Sequence, residues 1–163
     1  GTLTGRITYD YANTQPWSKI EQTFDSAGRV TYQVNYNRGA GRIAYTYDVT
    51  NTQPWSRIEQ TFDTADRNTY QNNFYDDGTR WLTTFDVANV QPWSRVEQNF
   101  DAAGRLVYQN NVNRNGTRNT WTWDQANTQP WSIVSQDFNA TGQKTNETVY
   151  NDNGSRDENG WDV

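Results

Sequence analysis

The tripeptide Gln-Pro-Trp stands at residues 15–17, 53–55, 91–93 and 129–131, at an unchanging spacing of 38 residues. These four tripeptides hold all four prolines of the chain. The flanks keep the same register. Asp10, Asp48, Asp86, Asp124 and Asp162 share one position. Asn13, Asn51, Asn89 and Asn127 precede the tripeptide, and Ser18, Ser56, Ser94 and Ser132 follow it. Gln22, Gln60, Gln98 and Gln136 recur, as do Phe24, Phe62, Phe100 and Phe138. An ungapped repeat of this kind restricts the fold to one small supersecondary element, copied and stacked on itself. We read residues 1–163 as a single repeat domain. Its copies span about 5–41, 42–79, 80–117 and 118–155, and residues 156–163 open a partial fifth copy.

Each copy divides into three segments with a period of two, the signal of a strand. In copy 2, Ile43, Tyr45 and Tyr47 alternate with Ala44, Thr46 and Asp48. In copy 1, Ile20, Gln22 and Phe24 alternate with Lys19, Glu21 and Thr23. Val30, Tyr32, Val34 and Tyr36 alternate with Thr31, Gln33 and Asn35. No window keeps the 3.6-residue period of a helix. Asp25-Ser-Ala-Gly28, Asp101-Ala-Ala-Gly104, Asp76-Asp-Gly78 and Asn113-Arg-Asn-Gly116 read as hairpin turns, where Gly supplies a positive φ. The Ala12–Trp17 connection is longer and holds a proline, which cannot donate to a sheet ladder, so it lies at or beyond the rim. The expected fold is all-β. It is an antiparallel tandem-repeat sheet of about three strands per copy, rolled into a barrel-like or spiral, solenoid structure with its aromatic face inside. Three is an odd number. Either equivalent strands of successive copies run in opposite directions, or the Gln-Pro-Trp connection crosses over and restores direction.

Composition narrows the chemistry. Hydrophobic residues make up 33% of the chain and the mean hydropathy is −1.11, values near the disordered class. Aromatics at 15% oppose disorder, since each can bury about 150–250 Å². The chain has no Cys, Met or His. That leaves no disulfide framework, no usual zinc site and no histidine general base. A net charge of −5 repels phosphate backbones, so nucleic acid is not expected as a partner. No apolar run approaches the roughly 18 residues of a spanning helix, so membrane insertion by a helix is not expected. No secretory leader precedes the first strand, and the chain reads as a piece of something longer.

The stretch Phe100-Asp-Ala-Ala-Gly-Arg-Leu106 combines aromatic-Asp, two variable residues, Gly-Arg and an apolar residue. It resembles the YD-repeat family of Rhs and teneurin type. Phe24-Asp25 with Gly28-Arg29-Val30 fits equally well; Phe62-Asp63 fits with Asp66 in place of Gly; Phe138-Asn139 with Gly142-Gln143 is degenerate. The resemblance covers about half of each copy, and the Gln-Pro-Trp half departs from it. It implies antiparallel strands rolled into a spiralling sheet in a large secreted bacterial protein, which in that family forms a shell. Copy 4 departs from consensus at Ser135, Asn139, Lys144 and Asn146, as capping repeats do. On that reading the array continues N-terminally and ends near Val163.

The candidate ligand-binding residues are Asn13, Gln15 and Trp17 with their counterparts Asn51, Gln53 and Trp55, Asn89, Gln91 and Trp93, and Asn127, Gln129 and Trp131. A Trp held by a preceding Pro, beside two amides, can stack a sugar ring and bind its hydroxyls, and four weak sites in a row would gain by avidity. The competing reading is that each Trp packs on the sheet. Gln22, Gln60, Gln98 and Gln136 are expected to bond one another or backbone. The Asp-x-x-Gly-Arg elements read as capped turns and not as calcium loops, because the six to eight clustered ligands are missing. Asp76-Asp77 and Asn151-Asp152-Asn153 come nearest to a calcium site. No metal ligand set or cofactor is assigned. Glu21, Glu59 and Glu97 are copied with the repeat and alternate with Lys19, Arg57 and Arg95, which is cross-strand charge pairing and not a catalytic carboxylate pair. The expectation is therefore a non-catalytic structural or adhesive repeat module of a larger bacterial protein, extracellular or at the cell surface. Its partners would be neighbouring repeats and glycans or cell-surface polysaccharide. The alternatives are a multivalent lectin-like module and a fragment of a YD-type toxin shell.

Overall fold

A computed structural model describes residues 4–39 and 41–162. Among the described residues the secondary structure is thirteen β-strands without a helix. The chain divides into two compact units, Gly1–Asp77 and Gly78–Val163. The first holds β1 (Gly5–Tyr9), β2 (Trp17–Phe24), β3 (Val30–Asn37), β4 (Arg42–Tyr47), β5 (Trp55–Phe62) and β6 (Asn68–Tyr75). The second holds β7 (Arg80–Phe85), β8 (Trp93–Phe100), β9 (Leu106–Asn113), β10 (Arg118–Trp123), β11 (Trp131–Phe138), β12 (Lys144–Asn151) and β13 (Arg156–Gly160). Three strands per copy is what the alternation predicts, and the first strand of each copy starts at Gly5, Arg42, Arg80, Arg118 and Arg156.

Within each unit every strand pairs antiparallel with its neighbour in sequence. The Gln-Pro-Trp connection does not cross over; it joins adjacent strands. Within each unit, equivalent strands of successive copies therefore run in opposite directions. In unit 1, β1 pairs with β2 and β6 with β5; in unit 2, β7 pairs with β8 and β13 with β12. Neither set of strands closes on itself into a barrel.

The register also corrects the expectation of a single aromatic interior. Directly paired residues of antiparallel strands point to the same face. In unit 1 one row runs Gln22, Gln33, Tyr45, Glu59, Asn72, and the adjacent row on the opposite face runs Glu21, Val34, Ala44, Gln60, Gln71. Gln22 and its counterpart Gln60 thus lie on opposite faces. Unit 2 repeats the pattern with Gln98, Gln109, Trp121, Ser135 on one face and Glu97, Asn110, Thr120, Gln136 on the other. Within each unit the second full copy turns the first one over, so both faces of the unit receive the same kinds of side chain.

Within each unit every strand touches only its sequence neighbours, and this leaves little room for a core. The buried apolar residues are Val34 and Ala44, and among the described residues no large side chain is fully buried. Hydrogen bonds and cross-strand pairs take over. Gln22 donates to Gln33 at 2.6 Å, Gln60 to Gln71 at 2.9 Å and Gln98 to Gln109 at 2.8 Å; Gln136 donates to Glu147 at 2.7 Å. The guanidinium groups of Arg42, Arg80 and Arg118 sit 3.7, 3.9 and 4.0 Å from the ring centres of Phe62, Phe100 and Phe138. Each such pair contributes about 0.5–1 kcal/mol where exposed. They recur once per copy because Arg and Phe are register partners on adjacent strands.

The Asp-x-x-Gly-Arg turns are closed by their aspartate. Asp25 Oδ1 accepts from the backbone N–H of Ala27 and Arg29, both at 2.9 Å, and Oδ2 accepts from Arg29 Nε at 2.7 Å. Asp63 and Asp101 repeat the arrangement. Gly28 and Gly104 both take φ of +79° and Asp66 takes +62° at the same position, so the aspartate that replaces Gly in copy 2 adopts the left-handed conformation the turn demands.

Candidate functional site: the Gln-Pro-Trp loops

Each Gln-Pro-Trp loop is organised by the aspartate that opens it. The Asp10 N–H donates to Ser18 O at 3.1 Å and closes the loop. Asp10 O accepts from Asn13 N, and its carboxylate Oδ2 accepts from Gln15 N at 2.8 Å. The same carboxylate-to-amide bond is 2.6 Å from Gln53 to Asp48, 2.7 Å from Gln91 to Asp86 and 2.6 Å from Gln129 to Asp124. These donors hold the aspartates below the usual carboxyl range. At Asp10, Asp48 and Asp124 the backbone N–H of Gln15, Gln53 and Gln129 is the leading cause. At Asp86 burial pulls upward most strongly, and the Gln91 N–H with Arg114 outweighs it.

Asn13, Asn51, Asn89 and Asn127 have φ of +57°, +53°, +59° and +53°. Asn tolerates this left-handed conformation better than other residues with a Cβ, so its recurrence has a backbone cause. Gln15, Gln53, Gln91 and Gln129 are exposed at the loop surface. Trp17, Trp55, Trp93 and Trp131 are half-buried, each the first residue of its strand. A bulge follows: Trp17 pairs with Asn37 but Lys19 pairs with Tyr36, leaving Ser18 unpaired. The Ser18 hydroxyl donates to Tyr36 O at 3.1 Å, and Ser56, Ser94 and Ser132 make the same bond to Phe74, Val112 and Tyr150. The recurrent serine thus fastens the bulge.

The third turn of each copy docks on that copy's loop. The N–H of Arg38, Asp76, Arg114 and Asp152 donates to Pro16, Pro54, Pro92 and Pro130 O at 3.1–3.2 Å. In copies 1 and 3 the side chain continues inward. Arg38 Nη2 donates to Asp10 O at 2.7 Å and to Oδ2 at 3.0 Å; Arg114 Nη2 donates to Asp86 O at 2.8 Å and to Oδ2 at 2.6 Å. Arg38 Nε and Arg114 Nε reach Gln15 O at 3.4 Å and Gln91 O at 3.1 Å. The clamped carboxylates are 6% and 5% exposed. The loops of copies 2 and 4 receive an arginine from the turn of the preceding copy instead: Arg29 Nη1 donates to Val49 O and Arg105 Nη1 to Gln125 O.

Asn, Gln and Trp of each set share one loop, but the loops do not form a row. Within unit 1 the β1–β2 and β4–β5 loops lie at opposite ends of the strands, as do the β7–β8 and β10–β11 loops within unit 2. Strands of six to eight residues place them about 20–25 Å apart along the strand. Two grooves of unit 1, of about 420 and 390 Å³, are lined by residues such as Gly5, Ile7 and Tyr32, and Tyr36, Arg42 and Asp66; neither contains a residue of the twelve-residue set. Sequence reasoning found Asp10 and its counterparts recurrent but assigned them no part in the loop, and it did not connect the third-turn residue to the loop. The available signal was the alternation Arg38, Asp76, Arg114, Asp152, visible when the copies are aligned. The chain matches no protein-family profile. It also matches no curated protein at a significant level.

Proposed function

We propose that the chain is a non-catalytic structural and adhesive repeat module of a larger extracellular or surface-attached bacterial protein, related to the YD-type repeats. The observation that carries this reading is how the most repeated residues are used. Asp closes the loop, Asn adopts its positive φ, Trp begins a strand half-buried, and Ser fastens the bulge. Each repeats for a reason of backbone or packing. Neighbouring repeats are the first partners of such a module. Curling of a long array into a spiral belongs to the same proposal, supported by the two register shifts in each second strand, since bulges bend and twist a strand.

A second reading, glycan binding at the loops, is favoured by one observation: the amides of Asn and Gln are exposed beside a half-exposed Trp in all four loops. Iodide quenching of Trp fluorescence, followed by titration with a panel of oligosaccharides, separates the two. The module reading expects no saturable shift with any sugar. A saturable shift that loses a quarter of its amplitude in Trp55→Ala replaces it with the lectin reading.

A further inference from the structure

The first strands of the copies are not all used alike. Strands β4 and β10 pair on both sides, with the second strand of their own copy and with the third strand of the copy before. Among the described residues β1 pairs with β2 alone, and all five of its residues are exposed. An antiparallel strand turns the N–H and C=O of alternate residues to one side and then the other. Thr4 O accepts from Phe24 N and Asp10 N donates to Ser18 O, so Arg6 and Thr8 between them also turn to β2. The N–H and C=O of Gly5, Ile7 and Tyr9 therefore face outward, an open template for another strand. The side chains along this edge are apolar. Ile7, Tyr9 and Tyr11 are 55%, 50% and 87% exposed, and the Tyr9 and Tyr11 rings stack at 5.5 Å. Gly5 stands where copies 2 and 3 carry Ile43 and Trp81. The groove of about 420 Å³ lies over it, lined by Ile7, Thr23 and Tyr32 of the same face. Beyond its adjoining residues, a Cβ on Gly5 would meet only Gln22 O, at 3.5 Å.

We propose that this edge joins two copies of the chain, β1 against β1, antiparallel about a two-fold axis at Ile7. Outward residues must meet outward residues for the ladder to form. Of the registers that satisfy this, one alone pairs the whole of Gly5–Tyr9: Ile7 with Ile7, Arg6 with Thr8, and Gly5 with Tyr9. Directly paired residues share a face, so each Tyr9 ring lies opposite the partner's Gly5, where the groove is. An aromatic ring laid over an edge glycine is a recognised way to fix a register. The two Ile7 side chains meet at the axis, and no like charges are opposed. Strand β13, the counterpart of β1 in the partial copy, is built against such pairing. Trp161 N donates to Thr145 O, so alternation turns Arg156, Glu158 and Gly160 outward, and full-length pairing would set Glu158 against Glu158. Like charges directly opposite are destabilising, and charged edges are how sheets block this contact. The β1 contact is isologous and consumes the edge it uses, so association stops at two copies. Its area is at the small, transient end of the range, which suits a dimer that forms in the micromolar range. The contact uses none of the twelve loop residues, and it holds equally for a structural module and for a lectin.

Sedimentation equilibrium of the full chain from micromolar to millimolar concentration is expected to show monomer and dimer and no larger species. In amide NMR the N–H signals of Gly5, Ile7 and Tyr9 should shift with concentration and exchange more slowly in the dimer, while those of Arg6 and Thr8, already turned to β2, change less. Ile7→Lys opposes two ammonium groups at the axis and is expected to weaken dimerisation at least about tenfold. Tyr9→Ala, which leaves the groove empty, is expected to weaken it by about tenfold as well, whereas Tyr9→Phe keeps it. Far-ultraviolet circular dichroism checks that each variant remains folded. A chain that stays monomeric at millimolar concentration overturns the proposal, as does a dimer undiminished by both Ile7→Lys and Tyr9→Ala. A peptide of the Val30–Asn37 sequence that shifts the β1 amides while the chain remains monomeric also overturns it, and gives the edge to the third strand of another repeat.

Discussion

Gly41 offers the sharpest test of how the third turn works. Copies 2, 3 and 4 carry Thr79, Thr117 and Ser155 at this position, so consensus alone would recommend Gly41→Thr as a stabilising change. The structure gives the opposite answer. Copy 1 lacks the glycine that Gly78, Gly116 and Gly154 supply one residue earlier, and its turn takes positive φ at Gly39 (+70°) and Gly41 (+74°). A Cβ on Gly41 would lie 2.0 Å from Phe62 O and 2.7 Å from the Asp63 carbonyl carbon. Both are backbone atoms of the neighbouring strand and turn and cannot rotate aside. The left-handed conformation costs a β-branched residue about 1–2 kcal/mol. Displacing packed backbone adds a cost of the overpacking kind, about 1–3 kcal/mol. The sum is about 2–5 kcal/mol. Gly39→Ala is the control, because nothing lies within 4 Å of its Cβ and only the conformational cost of about 1–2 kcal/mol applies. Urea unfolding followed by far-ultraviolet circular dichroism reads both. At an m value of about 2 kcal/mol/M the Gly41→Thr midpoint falls by about 1–2.5 M. If Gly41→Thr loses no more than Gly39→Ala, the reasoning from the close approach of Gly41 is wrong.

Three further outcomes are expected. Replacing Asn89 with Gly should change stability by less than about 0.5 kcal/mol, while Asn89→Val should cost about 2 kcal/mol, because the position demands a positive φ; equal losses by thermal melting would point to a side-chain role. A double-mutant cycle of Arg80→Ala and Phe100→Leu should give a coupling of about 0.5–1 kcal/mol, and strict additivity would remove the cation–π pair from the account. The turn and loop aspartates Asp10, Asp25, Asp48, Asp63, Asp86, Asp101 and Asp124 are all held below their ordinary value of 3.8. Their contribution is present above about pH 3.8 and lost as pH falls through the lower folded values. Urea midpoints should hold from neutral pH to about pH 4 and then drop, with a shallower drop in Asp25→Asn; an acid limb of unchanged steepness in that variant would refute the role of Asp25.

Much of the fold was legible because the repeat is ungapped. Strand number, strand limits and the Gly turns follow from period-two alternation broken at regular Asp and Gly positions. What alternation cannot give is which face of one strand matches which face of the next. Adding one residue to a strand exchanges its faces, and the bulges at Ser18 and near Phe24 leave no mark in the hydrophobic pattern. Ile20, Gln22 and Phe24 looked like a shared interior for that reason, and the reversal between copies became visible only from the register. The Arg42–Phe62 pair was hidden likewise: twenty residues separate the two in sequence, and only the pairing of β4 with β5 brings them together. In the loops, neither the positive φ of Asn13 nor the bond by which Ser18 fastens the bulge can be read from side-chain chemistry, which singled out Asn13, Gln15 and Trp17 for ligand contact.

Within each unit a strand meets only the strands beside it, and growth by copies has an unusual consequence. A globular domain that lengthens gains interior faster than surface, and beyond a certain size it must divide. Here each added copy brings as much surface as the one before, on both faces alike, and creates no interior for later copies to match. Length becomes a free variable, set by gene duplication and not by packing. A defect in one strand is felt by two neighbours and no others. An array of this kind can be extended, shortened or damaged locally and still present the same surface everywhere else.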